Sequence, residues 1–215
     1  MNKEIAKVLL EKKAVKLNAK DPFTFVSGIR SPIYCDNRQM IAYPEEREKI
    51  VNAFIHESQN HDFEIVAGTS TAGIPWASWI SDKLNKPMSY IRGAKKGHGA
   101  GNQVEGAEIN GKRVLIIEDL ISTGGSSFRA VETVRKGGGS CVAVVAIFTY
   151  DFIKAGKVFS EGGCKLLTIT NFSTLVNVAK NDGILTETEL SLVLDWNKDP
   201  KNWGPKHGFP NVDKG

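Results

Sequence analysis

The chain has 215 residues, 41% of them hydrophobic and 24% charged, with a formal net charge of +4, which fits one ordinary globular domain with a full core. The small net charge gives no reason to expect DNA or an anionic membrane as a partner, and the three cysteines, Cys35, Cys141 and Cys164, form no CxxC or histidine-flanked pair typical of a zinc site. No apolar stretch reaches the roughly 18 residues of a membrane-spanning helix, and the charged N-terminus does not resemble a signal peptide, so we expect a cytoplasmic protein.

The N-terminal region is predicted to form a helix followed by a hairpin. Ile5, Val8 and Leu9, continued by residues 12–15, keep helical spacing. Residues 23–38, FTFVSGIRSPIYCDNR, are rich in aromatic and β-branched side chains and are broken by Ser27-Gly28, which is typical of two short strands around a turn. We expect residues 1–40 to form a small hood that packs on the remainder of the chain.

From residue 41 to 215 we expect the main body of the fold, within one structural domain overall. Helices are predicted at 43–59, 74–84, 126–138, 172–182 and from 186, and strands at 63–68, 87–92, 112–119, 141–150 and 165–170, before a polar tail that contains Trp203. Strands of continuous aliphatic residues are those covered on both faces. The pattern therefore predicts an α/β fold, with a doubly wound, mostly parallel sheet and flanking helices.

Three loops that follow predicted strands carry the polar chemistry, and ligands of open parallel sheets bind at this edge. The first loop, residues 67–73 with the sequence AGTSTAG, has small side chains that let backbone amides approach an anion at the N-terminus of the next helix. The same pattern occurs in tight turns without a ligand, so this loop alone leaves both interpretations open.

The second loop, residues 92–111, has the sequence RGAKKGHGAGNQVEGAEING. It contains six glycines and the cationic candidates Arg92, Lys95, Lys96 and His98, with no acid before Glu105. Long glycine-rich segments inside compact domains are often lids, and a lid with this charge would close over a polyanion. The alternative is a solvated hairpin whose charges only maintain solubility.

The third loop lies in residues 114–127, VLIIEDLISTGGSS, where four aliphatic residues lead into Glu118 and Asp119. The turn at 122–126 is predicted to hold a phosphate dianion with its hydroxyls, its amides and the dipole of a helix that begins near Phe128, capped by Ser126 and Ser127. Ionised carboxylates accept hydrogen bonds, so the two acids suit sugar hydroxyls. A phosphorylated ribose satisfies both halves of the stretch.

Residues 114–127 resemble the motif with which type I phosphoribosyltransferases bind phosphoribosyl diphosphate (PRPP): four hydrophobic residues, two acids and a Thr/Ser-Gly-rich turn. The loops at 67–73 and 92–111 are similar to that family's pyrophosphate loop and flexible catalytic loop. EDLISTGGS, the Lys-x-His-Gly of 96–99 and FTFVSGIRSPIYCDNR resemble the branch of the family that uses orotate. The resemblance covers nearly the whole chain.

This resemblance implies a fold and a reaction. The fold would be that of the type I phosphoribosyltransferases, and the reaction would convert orotate and PRPP to orotidine 5′-monophosphate and pyrophosphate, a step of de novo pyrimidine synthesis. Mg²⁺ would be held mainly through PRPP, with no direct protein ligand. The resemblance also implies a homodimer in which one subunit's catalytic loop enters the other's site, and it implies no nucleic-acid or membrane partner.

The resemblance also implies roles for individual residues. Glu118 and Asp119 would bind the ribose hydroxyls, Ser122 would lie near orotate, and Lys96, His98 and Asp119 would be catalytic. His98 would be placed to protonate the leaving pyrophosphate. The implied PRPP-binding residues are Arg92, Lys96, His98, Glu118, Asp119, Leu120, Ile121, Ser122, Thr123, Gly124, Gly125 and Ser126, and the implied pyrophosphate loop is Thr69, Ser70, Thr71, Ala72 and Gly73.

Several residues in and near the expected orotate site differ from the better-known enterobacterial pattern. Val26 and Ala72 stand where those enzymes carry lysines, Gly93 replaces a further lysine, and no arginine follows at Asp151-Phe152. These replacements look like those of the Gram-positive branch. Arg30, or the backbone amides of residues 31–34, is the alternative partner that we assign to the orotate carboxylate.

Two other functions share the PRPP motif. A purine phosphoribosyltransferase would differ in the N-terminal hood, and the segment 27–38 and the lid favour orotate instead. A non-catalytic PRPP-dependent regulator would add a nucleic-acid surface, for which the chain shows neither a helix-turn-helix extension nor a basic stripe.

Overall fold

The computed structural model describes residues 1–93 and 103–213 of the chain. The helices are α1 (Asn2–Glu11), α2 (Pro44–Ser58), α3 (Gly73–Leu84), α4 (Gly125–Lys136), α5 (Ile153–Glu161), α6 (Phe172–Asn181), α7 (Glu187–Lys198) and α8 (Pro200–Lys206), with a 3₁₀ helix at Asn37–Ala42. The strands are β1 (Val15–Leu17), β2 (Phe23–Thr24), β3 (Arg30–Ser31), β4 (Ile33–Cys35), β5 (Ile65–Thr69), β6 (Met88–Ile91), β7 (Val104–Gly106), β8 (Arg113–Ile121), β9 (Ser140–Thr149) and β10 (Leu166–Asn171).

A central sheet confirms the predicted α/β class. Its strands lie in the order β10-β9-β8-β5-β6-β7, and all neighbours are parallel except β7, which runs antiparallel to β6. The chain moves outward from β5 to β6 on one side and from β8 to β9 and β10 on the other, so the strand order reverses between β5 and β8. Ligands of open α/β sheets bind outside the carboxyl ends of the strands at such a reversal.

Helices cover both faces of the sheet, and β8 shows why its sequence is continuously aliphatic. Leu115 and Ile117 belong to one buried cluster, which includes Trp76 of α3. Ile116 belongs to a second cluster on the other face, with Val131 of α4. Because successive side chains of a strand point to opposite faces, only a run without polar residues fills both cores.

The N-terminal hood is built from two small antiparallel pairs, β1 with β4 and β2 with β3. Helix α1 packs against α6 and β10, and Met40 is fully buried in the same cluster as the central sheet. The C-terminus reaches back to the hood, where the amide of Val212 donates to the carbonyl of Gly28 at 3.0 Å. The hood thus shares its core with the body, while a division at residue 40 stays a prediction.

Several local expectations were wrong. Helix α1 ends at Glu11 instead of continuing through residues 12–15, because Lys13 adopts a left-handed φ of 59° and Val15 begins β1. Strand β7 and helices α5 and α8 were not predicted, and α8 occupies part of the expected tail, with its Trp203 buried. No helix in the described ranges combines the length and apolar character needed to cross a membrane.

Candidate active site

Strand β8 carries the acidic pair further inside the sheet than the sequence suggested. It pairs with β9 as far as Ile121 opposite Thr149, so Glu118 and Asp119 are strand residues. Leu120 and Ile121, which the resemblance implies as PRPP-binding residues that help to cradle the 5′-phosphate, also belong to the strand, and the side chain of Ile121 is buried. A cradle formed by an exposed turn is therefore limited to residues 122–126.

The turn after β8 leaves a helix N-terminus open. Gly124 has φ +81° and is the N-cap of α4, which begins at Gly125, and no side chain caps the helix. The prediction that Ser126 and Ser127 cap a helix near Phe128 was wrong, because both lie inside its first turn. The first amides of α4 have no partner within the helix, and this is the arrangement that binds phosphate at helix N-termini.

Glu118 is held through both of its carboxylate oxygens. Oε1 accepts a hydrogen bond from the amide of Asp119 at 3.0 Å. Oε2 accepts one from Oγ of Ser127, a buried residue of α4, also at 3.0 Å. Ser127 thus connects Glu118 to helix α4. Only a helix-capping role had been predicted for Ser127 from the sequence.

Asp119 is fixed from the hood. Its carbonyl oxygen accepts a hydrogen bond from Nδ2 of Asn37 at 2.7 Å, across 82 positions of sequence. The Asn37 side chain is buried, and its Oδ1 faces Sγ of Cys35 at 3.4 Å. Sequence reasoning missed Asn37, since an asparagine at the start of a turn gives no signal of a contact so distant in the chain.

The environment of Asp119 favours its protonated form. Burial raises the pKa of the Asp119 carboxyl to about 7, and the negative charge of Glu118 adds to the increase. Arg38 lies close enough to act in the opposite direction, but its guanidinium is already bonded to Asp36 at 2.6 Å. Asp119 is therefore poised to lose or gain a proton near neutrality, where a bound ligand will decide its state.

The loop after β5 lies beside β8. Oγ1 of Thr69 donates to the carbonyl of Ile117 at 3.2 Å, and a Cβ at Gly73 would overlap that same carbonyl oxygen. The glycine therefore permits the start of α3 to approach β8 closely. Ser70 and Thr71 are exposed, while Ala72 precedes the helix as its N-cap. Both small-residue loops thus flank the reversal of strand order.

A cavity of about 190 Å³ joins the two loops on the α4 side. Ser70, Arg92, Glu118, Ser126 and Arg129 are among its lining residues. Nη1 of Arg92 forms an ion pair with Oε1 of Glu105 at 3.4 Å. Arg129 was not predicted at the site. Lys95, Lys96 and His98, the other cationic candidates of the lid, lie outside the described residues.

A larger cavity of about 620 Å³ opens on the hood side of the cradle. Ser122 and Thr123 line it together with three aromatic side chains, Phe25, Phe152 and Trp196. Arg30, which was assigned from the sequence as a partner of the orotate carboxylate, is not among its lining residues. Its Nη1 instead donates to Oγ1 of Thr24 at 2.6 Å, while its backbone amide donates to Asn211.

The acidic donors present suit a magnesium ion shared with a phosphorylated ligand. Within residues 1–93 and 103–213, no group of three His, Cys, Asp or Glu side chains converges as a metal cage. Glu118 and Asp119 offer carboxylate oxygens beside the phosphate cradle. Mg²⁺ keeps several waters and binds through substrate phosphates, so an ion held mainly by a phosphorylated ligand fits beside these acids without a cage of protein ligands.

Comparison with known proteins places the chain in a family. Residues 44–173 match the family model of the phosphoribosyl transferase domain. The chain is 50% identical over 198 residues to the orotate phosphoribosyltransferase of Staphylococcus saprophyticus, covering 91% of this chain and 98% of that protein. It is 46% identical over 206 residues to that of Listeria monocytogenes serotype 4b, covering 95% and 99%. The crystal structure of orotate phosphoribosyltransferase from Aeropyrum pernix matches with a TM-score of 0.72 and 25% identity, over 85% of this chain and 99% of that chain. The fold expected from the sequence is thereby confirmed, and the chain belongs to the orotate phosphoribosyltransferases of the phosphoribosyltransferase family.

Proposed function

We propose that this chain transfers the ribose 5-phosphate group of PRPP to orotate at the carboxyl edge of its central sheet. The C1–oxygen bond to pyrophosphate breaks, a bond from C1 to N1 of orotate forms, and N1 gives up its proton, so that orotidine 5′-monophosphate and pyrophosphate result. The observation that carries this proposal is the meeting of an uncapped helix N-terminus, two carboxylates and a second small-residue loop at the reversal between β5 and β8.

The 5′-phosphate is assigned to the turn after β8. The open amides at the start of α4 and the exposed hydroxyls of Ser122, Thr123 and Ser126 are complementary to a dianion. Gly124 adopts a left-handed φ of 81°, which lets the chain turn directly from β8 into α4. A ribose attached to that phosphate would extend toward the ends of the neighbouring strands, where the acids lie.

The acidic pair is assigned to the ribose hydroxyls. Glu118 is oriented by Ser127 and by the Asp119 amide, so its carboxylate does not need to reorganise when a substrate binds. Loss of pyrophosphate builds positive charge on the ribose ring, and fixed negative charge beside the ring stabilises that state. Asp119 contributes most in its ionised form, which links activity to the proton that it holds near neutral pH.

The pyrophosphate is assigned to the loop Thr69–Gly73 and to Arg92, with Lys96 and His98 of the lid added to it. Arg92 and the loop share the cavity on the α4 side. Mg²⁺, bound mainly through PRPP, would supply charge neutralisation for the departing diphosphate. Cationic side chains around a leaving group with several negative charges stabilise it further.

The base is assigned to the larger cavity on the hood side. The partly exposed rings of Phe25 and Phe152, which pack on the buried Trp196, suit a planar base. Ser122 connects the cavity to the phosphate turn. We also propose that the active enzyme is a homodimer in which the lid of one subunit completes the other's site. A cytoplasmic location stays a prediction.

The experiment that tests this function is an assay of the purified chain with PRPP, Mg²⁺ and one base at a time. We expect orotidine 5′-monophosphate from orotate, and much slower nucleotide formation from adenine or hypoxanthine. Preferential use of a purine would overturn the proposal. Nucleic-acid binding that is sensitive to salt, without base transfer, would instead favour a PRPP-dependent regulator.

A further inference from the structure

The cavity assigned to the base carries positive charge that the proposed function leaves unused. Lys154, Lys198 and Lys201 line it, together with the acids Asp151 and Asp199. We propose that Lys154 binds the carboxylate of orotate and thereby selects this base over pyrimidines that lack the carboxylate. This inference rests on the proposed function, and it assigns a specificity-determining residue within the same site.

The position of Lys154 follows from the sheet. It lies in the first turn of α5, directly after β9, and β9 is the parallel neighbour of β8. The end of β8 leads into Ser122 and Thr123, which line the same cavity. Lys154 therefore belongs to the sheet edge beside the phosphate turn, whereas Lys198 and Lys201 reach the cavity from the C-terminal helices α7 and α8.

Two acids, Asp151 and Asp199, line the same cavity, but both are engaged by other groups. Asp199 accepts hydrogen bonds from Nδ2 of Asn202 at 3.1 and 2.9 Å. Asp151, the nearest acid in sequence, already accepts hydrogen bonds at Oδ2 from the amide and the hydroxyl of Ser173, at 3.1 and 2.9 Å. Across residues 1–93 and 103–213 the Lys154 ammonium forms neither a hydrogen bond nor an ion pair. A carboxylate that enters the cavity would thus meet a free cation.

The hood offers weaker candidates for binding the orotate carboxylate. Arg30 is engaged with Thr24 and does not line the cavity. Val26, at the tip of the hairpin, is apolar and 92% exposed, so it provides no charge. The partly exposed rings of Phe25 and Phe152 can stack on the neutral part of the base while Lys154 meets its carboxylate.

Lys154→Gln tests the assignment, with Lys157→Gln as its matched control. Both lysines are exposed residues of α5, but Lys157 lies outside the cavity. We expect Lys154→Gln to raise the KM for orotate about 10- to 100-fold, the range of one lost charge-assisted hydrogen bond. The KM for PRPP should rise much less, because the amides and hydroxyls of the turn after β8 hold the phosphate without Lys154. Lys157→Gln should behave as the wild type.

Binding of the product gives a second readout that does not depend on turnover. Titration of the intrinsic fluorescence, to which Trp196 in the cavity contributes, should show that the wild type prefers orotidine 5′-monophosphate to uridine 5′-monophosphate. Lys154→Gln should bind both nucleotides equally, and Lys154→Arg should retain part of the preference because it keeps the charge.

The outcomes separate this inference from the function on which it rests. If the wild type forms no orotidine 5′-monophosphate, the proposed function itself is wrong. A wild type that is active, with an unchanged KM for orotate in Lys154→Gln, would overturn only the assignment of Lys154. So would an increase in that KM confined to Lys198→Gln or Lys201→Gln. Thermal unfolding of Lys154→Gln should match the wild type, since the side chain is exposed.

Discussion

The backbone amide of Asp119 donates a hydrogen bond to Oε1 of Glu118 at 3.0 Å, so the side chain of the first acid turns back toward the second. Together with the burial of Asp119, this arrangement raises the pKa of the Asp119 carboxyl to about 7. Two carboxylates that share a site disfavour simultaneous ionisation unless a cation or a donor separates them. The ligand-free site therefore holds unfavourable electrostatic energy that a magnesium-bound substrate would relieve.

The first prediction concerns the pH dependence of stability in Asp119→Asn. The folded chain holds the Asp119 proton more tightly than the unfolded chain, where an aspartate has a pKa of about 3.9. Ionising it in the fold therefore destabilises the wild type progressively as the pH rises from about 4 to 7. The variant lacks this penalty. Above pH 7 the free energy of unfolding of the variant should exceed that of the wild type by up to about 4 kcal/mol, at about 1.4 kcal/mol per pKa unit. Near pH 4 the two free energies should not differ for this reason.

Urea unfolding at a series of pH values measures this difference. Asp82→Asn, the same change at an exposed residue of α3, should show no such trend. A gap between Asp119→Asn and the wild type that stays constant across the pH range would mean that Asp119 titrates at an ordinary pKa in the fold.

The second prediction concerns the hydrogen bond from Asn37 to the carbonyl of Asp119. Asn37→Ala leaves that carbonyl without its donor in a buried region, at a cost of about 1–3 kcal/mol of unfolding free energy. The KM for PRPP should rise as well, because the strand end that carries Asp119 loses its anchor. Asn52→Ala removes an exposed amide of α2 whose Oδ1 accepts a hydrogen bond from Lys83 at the surface, at 2.7 Å. It should change stability by no more than about 0.5 kcal/mol. Equal effects of the two substitutions would rule out this role for Asn37.

The main features of the fold could be predicted from the sequence, because both faces of the sheet demand aliphatic side chains. The continuous aliphatic runs of β8 and β9 predicted strands that are buried on both faces. The glycines and hydroxyl side chains after β5 and β8 predicted the two loops. The elements that the sequence did not predict are short. Strand β7 has three residues on a sheet edge, and α8 contains Pro205 in its interior, so neither gives a periodic signal.

The contacts that orient the acids were beyond prediction for a different reason. The hydrogen bond from Asn37 joins residues 82 positions apart, and only the packing of the hood on the sheet brings them together. Ser127 was visible in the motif, but its bond to Glu118 depends on where α4 begins. Lys154 of the larger cavity follows β9, whose end was predicted from the sequence. Helix α5, which contains Lys154, was not predicted.

The third prediction uses two glycines with the same backbone conformation. Gly28 has φ +81° and Gly208 has φ +82°, but only a Cβ at Gly28 would overlap the carbonyl oxygen of Val212. Alanine at either position costs about 1–2 kcal/mol for a left-handed residue. Gly28→Ala must in addition displace the C-terminal segment from the hood. We expect it to be the less stable variant by thermal unfolding, and to raise the KM for orotate, since Phe25, Ser27 and Ile29 line the base cavity.

The comparison between the two alanine variants is the control for backbone strain. If Gly28→Ala and Gly208→Ala lose the same stability and keep the same KM for orotate, the contact between the C-terminus and the hood has no part in shaping the cavity.

The fourth prediction concerns His98 of the lid. If it protonates the departing pyrophosphate, kcat/KM of the wild type should fall at alkaline pH as the imidazolium is lost. His98→Asn should be about 100-fold slower and should lack that alkaline limb. His56→Asn, at an exposed position of α2, should leave the profile as it is. A pH profile for His98→Asn of the same shape as that of the wild type would exclude this proton transfer.

The most direct test of the account is a crystal structure of the chain with orotidine 5′-monophosphate bound. We predict the phosphate at the amides of residues 122–126, the ribose hydroxyls at Glu118 and Asp119, and the base between Phe25 and Phe152 with its carboxylate on Lys154. A nucleotide whose phosphate lies elsewhere, or whose base occupies the α4-side cavity near Ser70 and Arg129, would contradict it.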